Sequence, residues 1–268
     1  MSQLVTVMDI FKLLKKNNCM DCHEKTCLAF AASVLKGHRQ LNECPHVDRE
    51  VLQQVNGKIE RPKTIEDDQE KIVQALKQEV SKIDLQAIAW KAMGVYENSR
   101  LTLRVLGKNF SVGSNGNLYT DIHVNPWVTI PLLSYILHCS DIPLSGKWVS
   151  FRELKQGKMW EGLFGQQCEI PLKRLADTHT DLFETLIEVF NGKKIENHYQ
   201  SDISLVLYPL PKVPILICYW KPDDNMDSEL HLFFDSSSIY NINIEGIYAL
   251  GTGLVRMFEK IVLRHGIP

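Results

Sequence analysis

Four of the seven cysteines fall within twenty-six residues, spaced Cys19-x2-Cys22-x4-Cys27-x16-Cys44, with Pro45 directly after the last. No other feature of the chain restricts its fold so tightly, because thiolates crowded onto one short loop repel one another until something binds them together. Three arrangements compete. Disulfides require an oxidising compartment. The N-terminal stretch MSQLVTVMDIFKLLKK carries its basic residues after the apolar ones and has no small-residue cleavage site, so it does not read as a secretory leader. No apolar run approaches the ~20 residues needed to span a bilayer. A reducing, cytoplasmic home is expected, which argues against disulfides. Structural zinc normally uses two short knuckles that clamp a tetrahedral ion. Only one C-x2-C pair exists here, although His23 and His46 flank the cysteines and could complete a mixed site. An iron–sulfur cubane needs one thiolate per iron at separated corners, commonly three from a tight loop and a distant fourth followed by proline. The spacing has that form, so Cys19, Cys22, Cys27 and Cys44 are the expected ligands of a [4Fe-4S] cluster.

Between Cys27 and Gly37 the string CLAFAASVLKG predicts a helix, with Leu28, Ala31, Ala32 and Leu35 as its apolar stripe and Gly37 as its stop. Cys27 then sits at a helix N-terminus, where free backbone amides would face a bound anion. The whole pattern is N-C-x2-C-x4-C-L-A-F-A, a glycine ten residues after Cys27, and then C-P. It closely resembles the [4Fe-4S] module at the N-terminus of the large subunit of the corrinoid iron–sulfur protein, over about Asp9 to Val47. Asn18, Cys19, Cys22, Cys27, Leu28, Ala29, Phe30, Ala31, Gly37, Cys44 and Pro45 carry the resemblance. In that family the module passes single electrons that return an oxidised cobalt centre to Co(I). The resemblance therefore implies a [4Fe-4S] cofactor, and a corrinoid held by this chain or by a partner corrinoid protein. His23 stands where the family usually has glycine, a bulkier neighbour that would alter the solvation and potential of a cluster.

The polar segment Asn56 to Gln69 reads as a linker, ending in a capping box at Thr64-Ile65-Glu66-Asp67. The following helix should run to about Ser81 with Ile72, Leu76, Val80 and Ile83 on one face, and Asp84 should cap a second piece, DLQAIAWKAMG. RLTLRVLG and KNFSV alternate as strands, with turns at Gly107-Lys108 and Asn115-Gly116. NPWVTIPLLSYILHCS predicts a buried helix, and LFETLIEVFNG another ended by Gly192. SLVLYPLPKVPILICYW gives two apolar strands joined across Pro209, Pro211 and Pro214, ELHLFFD a third, and a closing helix runs from about Ile244 to His265. The expected class is α+β: a small cysteine-rich helical iron–sulfur domain over residues 1–60, then a larger mixed α/β domain with antiparallel strands over residues 66–268. The strings LSGKWVSFRELKQGKMWEGLF, YPLPKVPILICYWKPDD and LFFDSSSIYNINIEGI resemble a domain of unknown function found behind this same cluster module in anaerobes. That resemblance implies an architecture but no activity, and leaves open whether the domain binds a corrinoid.

Thirty basic residues against thirty-two acidic ones, with no basic run interleaved with aromatics, exclude the footprint of a nucleic-acid binder. No P-loop is present, and Gly251-Thr252-Gly253 lacks a third glycine and fits close helix packing instead. Asp177-Thr178-His179 is similar to the D-x-H-x2-G signature by which one corrinoid family supplies histidine to cobalt. Leu182 replaces its glycine, so Asp177, Thr178 and Asp181 are expected to cap the next helix. Cys139, Cys168 and Cys218 lie in apolar runs and read as core residues. His231 falls on the polar phase of its strand, and His123 and His138 have no partner spacing. Trp148, Phe151 and Trp160 read as core, and would be the first place to seek a stacking surface for a flat macrocycle. No acid, base or nucleophile set is legible, so a redox or cofactor-carrying protein is expected ahead of a stand-alone enzyme. The alternatives are a metal-clipped binding or regulatory module, and a corrinoid-dependent methyl-transfer protein.

Overall fold

The computed structural model describes residues 6–55, 59, 65–121, 124–179, 181–195, 198–223 and 226–265. Its contacts divide the chain into two units, Met1–Asp68 and Gln69–Pro268.

The first unit is helical. Helix α1 (Val7–Lys12) opens on a reciprocal cap between Thr6 and Asp9. Helix α2 (Cys27–Leu35) is capped by Thr26, whose hydroxyl accepts from the Ala29 amide at 3.0 Å. It ends where Gly37 takes φ 72°, with the Gly37 amide bonded to Val34 O and the His38 amide to Ser33 O. This paired closure needs a left-handed residue, which glycine supplies without steric cost. The buried face is Cys27, Phe30, Ala31, Val34 and Leu35, whereas Leu28 is 47 % exposed. The expected stripe is thus rotated. The sequence of α2 is apolar nearly all round, so pattern alone could not choose its inner face; packing with Ile10 and Leu14 does. Helix α3 (Arg49–Val55) completes the unit.

Helix α4 (Ile65–Val80) begins four residues before the second unit; it buries Val80 and partly buries Leu76, with Ile83 just beyond, but Ile72 is exposed. The residue expected to open its capping box, Thr64, lies outside the described residues. Asp84 caps α5 (Leu85–Ile88) through the Gln86 and Ala87 amides, as expected, but the helix stops after one turn. A four-stranded antiparallel sheet follows in sequential order: β1 (Val95–Glu97), β2 (Arg100–Val105), β3 (Lys108–Gly113) and β4 (Leu118–Tyr119). Val105 pairs with Lys108, so the β2–β3 turn is Leu106-Gly107, both at positive φ, one residue earlier than the sequence suggested. Asn115-Gly116 forms the next turn as expected.

Helix α6 (Pro126–His138) leads to β5 (Trp148–Ser150). A long helical passage then runs through α7 (Gly157–Phe164), a π turn at Gly165–Glu169 and α8 (Ile170–Thr178). Its glycines and Pro171 obscure it in the sequence, and the π turn ends two residues before the proline, whose missing amide interrupts an α ladder. Helix α9 (Leu182–Phe190) ends on Asn191 in the left-handed region, not on Gly192. Strands β6 (Lys193–Lys194), β7 (Ile203–Leu210), β8 (Val213–Trp220) and β9 (Glu229–Asp235) join β5 in an antiparallel sheet ordered β5-β9-β8-β7-β6. Pro209 sits in the irregular step between Leu207 and Leu210, where a missing ladder donor costs least. One face of this sheet joins the main core through Leu205, Ile217, Leu232 and Phe234; the other carries a small cluster around Val206, Leu216 and Cys218. Helix α10 (Ile244–His265) packs on α6, and a side chain at Gly253 would press on Trp127 Cβ at 3.3 Å. The architecture is the mixed α+β class that the sequence predicts. No described helix is long and apolar enough to cross a membrane.

Candidate metal centre

The loop between α1 and α2 carries Cys19 and Cys22 on an unusual backbone. Lys16, Asn18, Met20 and His23 all take positive φ, between 50° and 66°. Non-glycine residues rarely adopt this region. Recurrent left-handed residues curl successive amides into the concavities that receive anions and iron–sulfur groups. The loop is fastened at several points. Asn18 Oδ1 accepts from the Cys27 amide at 2.9 Å, the Cys27 thiol lies 3.9 Å from Asn17 Oδ1, and Ser33 on α2 donates to Glu24 at 2.9 Å. Two of the first three amides of α2, those of Cys27 and Ala29, are therefore taken by Asn18 and Thr26. This corrects the expectation that they stand free for an anion.

Cys27 is the first residue of α2, and Cys44 follows directly on a 3-10 turn at Leu41–Glu43. Cys22, Cys27 and Cys44 are all buried in the first unit's core, while Cys19 is half-buried. The segment after Cys44 is tied back to the loop by His46 Nε2 and Asp21 Oδ2, 2.6 Å apart. Among the described residues, the set of three metal-competent atoms within 4.8 Å of one another is that of Cys19, Asp21 and His46, not any three of the cysteine sulfurs. Asp21 was not singled out by sequence reasoning, since its partner lies twenty-five residues away. His46 was named only as a candidate fourth zinc ligand, and His23 does not join the set.

The His46 ring, then the Cys19 thiol, hold the Asp21 carboxyl below its ordinary range. At Cys19 the Asp21 amide favours the thiolate most strongly. Desolvation, the Asp21 carboxylate and Cys27 together outweigh it, and the thiol is pushed up. Binding a cation there would expel a proton and reverse that balance.

The remaining candidates scatter. Phe151 is buried and stacked on Phe164 with ring centres 4.0 Å apart; Trp160 packs on Tyr248; Trp148 lies on the opposite sheet face. They form no common stacking surface. Cys168 and Cys218 are fully buried and Cys139 partly so, as expected for core thiols. Asp177 does not cap α9; its Oδ1 accepts from the Tyr219 hydroxyl at 2.8 Å, and its other oxygen meets Lys173. Asp181 occupies the cap position without a side-chain bond. His231 is not simply solvated, since Glu169 lies 3.5 Å away and pushes its pKa up. His138 bonds Ser134 O, and His123 lies outside the described residues.

Residues 84–257, well over half of the chain, match the family described as "Domain of unknown function (DUF3786)". The chain belongs to the DUF3786 family. In this DUF3786 protein, residues 14–46 also match the family described as "Putative Fe-S cluster". The same region is 37 % identical over 51 residues to the acetyl-CoA decarbonylase/synthase complex subunit gamma of Methanothermobacter thermautotrophicus, covering 19 % of this chain and 11 % of that protein. It is 44 % identical over 43 residues to the corrinoid/iron-sulfur protein large subunit of Moorella thermoacetica, covering 16 % and 10 %. A further gamma subunit, from Methanocaldococcus jannaschii, is 40 % identical over 45 residues, covering 17 % and 9 %. The chain thus spans about a tenth of the length of these relatives. No solved structure matches it. The N-terminal segment is a module of the iron–sulfur type, joined to a DUF3786 domain.

Proposed function

We propose that this DUF3786 protein is a one-electron carrier in which Cys19, Cys22, Cys27 and Cys44 hold a [4Fe-4S] cluster. Residues 1–60 act as the cluster domain. The domain over residues 66–268 serves a corrinoid, its own or one held by a partner protein. When bound, the cluster supplies single electrons to a cobalt centre. The carrying observation is that three buried thiols and a half-buried fourth are gathered in the first unit, two of them on a loop of left-handed residues, one at the start of α2 and one after the 3-10 turn. The spacing, three cysteines close together and a distant fourth followed by Pro45, suits one thiolate at each corner of a cubane better than the paired knuckles of a zinc site. The relatives' printed names, corrinoid/iron-sulfur protein above all, support the corrinoid link.

One observation favours a second reading. Cys19, Asp21 and His46 lie close enough for a single ion, which would make the module a structural clip without electron flow. Anoxic purification separates the two. The cluster reading expects a brown protein with matched iron and sulfide, which Cys27→Ala loses, and full iron and sulfide retained in that variant counts against it. Zinc as the bound metal would establish the clip instead. Titration of the dithionite-reduced protein with a cob(II)inamide should regenerate the oxidised cluster as Co(I) appears, and a spectrum of the cluster that cobinamide leaves unchanged would remove the corrinoid link.

A further inference from the structure

The second unit contains a cleft of about 510 Å³ that shares no residue with the cysteine module. It opens among the β2–β3 turn, the end of β7, the first turn of α6 and the outer part of α10. Its floor is Leu106, Leu210, Leu250 and Leu254, all buried core residues. The volume falls inside the ~300–1,000 Å³ range of small-molecule sites. A corrin with its side chains would overfill it.

One end is polar, and a buried acceptor there has no hydrogen-bond partner. Asn125 occupies the cap position of α6 but makes no capping bond, and its Oδ1 is buried without a hydrogen-bond partner. Two residues on, Trp127 carries the Arg256 guanidinium over its ring, 3.6 Å from the centre. Gly253 permits that approach, because α10 meets Trp127 there too closely for a comfortable side chain. Stacking occupies the flat face of the guanidinium and leaves its N–H edge for a bidentate acceptor. No ion pair among the described residues involves Arg256 or Lys260, one turn further along. Glu259 is the one acid in the lining, so the wall is net cationic, and the positive end of the α6 dipole adds to it.

We propose that this cleft binds a small anion with an apolar body. Its carboxylate or phosphate head takes the Arg256 edge, an N–H or O–H donor reaches Asn125 Oδ1, and its body lies over Leu106, Leu250 and Leu254. The site is independent of the cluster and stands whether or not the module carries electrons.

Anilinonaphthalene sulfonate has the required parts, an anionic head, an N–H and an aromatic body; N-phenyl-1-naphthylamine keeps the last two and is neutral. On the full chain the anionic probe should bind once per molecule. Arg256→Gln should weaken it about tenfold or more, the loss of a charge-assisted bidentate contact, and change the neutral probe less than about twofold. Met257→Trp, which fills the cleft, should weaken both. Decanoate and decyl phosphate should displace the anionic probe at concentrations at least about tenfold lower than decanol, the stronger of the two anions naming the head. Arg256→Lys keeps the charge without the planar fork and should fall between, which serves if the glutamine variant unfolds. Equal loss of both probes in a folded Arg256→Gln variant, displacement by decanol as readily as by decanoate, or no saturable binding overturns the proposal.

Discussion

The same residue type is used in two opposite ways along this chain. In the first unit Cys22, Cys27 and Cys44 make up three of the twelve buried apolar positions among the described residues, set at element ends and on a loop whose backbone repeatedly enters the left-handed region. In the second, Cys168 sits within the continuous helical passage inside the large core and Cys218 on β8 in the small cluster of the other sheet face, and burial pushes both thiols up. A thiol held neutral in apolar surroundings is a small hydrophobe. Thiols gathered on an irregular loop with little else to pack against need a bound group to complete their unit. What separates the two uses is the backbone beneath the sulfur and the amount of ordinary core around it.

The largest expected effect follows from that contrast. Stripping the bound metal with a chelator should unfold residues 6–55 while the second unit keeps its protection, since binding energy in such small modules is folding energy; hydrogen exchange resolved by segment reads this directly. Equal protection of both units before and after chelation would break the comparison.

The second unit is pinned differently, by Asp235. Its Oδ1 accepts from the amides and hydroxyls of Ser145 and Ser237, and its Oδ2 from the Gly146 amide at 2.7 Å. Burial pushes this carboxyl up, but the bonds from Ser237 and Ser145 outweigh it and hold the pKa below the ordinary range. With a depressed folded pKa, the stabilisation is complete above the unfolded value of ~4 and fades as pH falls through the lower folded value. Asp235→Asn should therefore cost about 2–3 kcal/mol at neutral pH and flatten the acid limb of the second unit's stability, measured by urea melts from neutral to acid pH. The smallest effect sharpens the cysteine contrast: Cys168→Ser should cost about 1–2 kcal/mol for a poorly satisfied buried hydroxyl and leave iron and sulfide content unchanged. A fall in metal content would merge the two classes.

Elements with strong local signals were legible in the sequence. Gly37 marks the end of α2 because helix-stop chemistry is local, and the alternation in β2, β3 and β9 reports burial directly. The face of α2 was not legible, because Leu28 and Phe30 are both strongly apolar and only contact with α1 decides between them. Asp177 and Asn191 were misread for a related reason. Tyr219, forty-two residues downstream, recruits Asp177 away from capping, and an asparagine can take the left-handed turn that the adjacent glycine suggested. At the candidate centre the four cysteines and Asn18 were visible as a spacing pattern, whereas the Asp21–His46 contact and the Asn125–Trp127–Arg256 cleft are made by segments distant along the chain.

The bond from the Cys27 amide to the Asn18 carboxamide has a consequence for how such a centre is filled. It closes a short ring of chain on the protein's own account, and so offsets part of the entropy of ordering that ring. A group whose binding folds the module then has only the remainder to supply, as a cord already threaded through its eyelets needs only to be drawn.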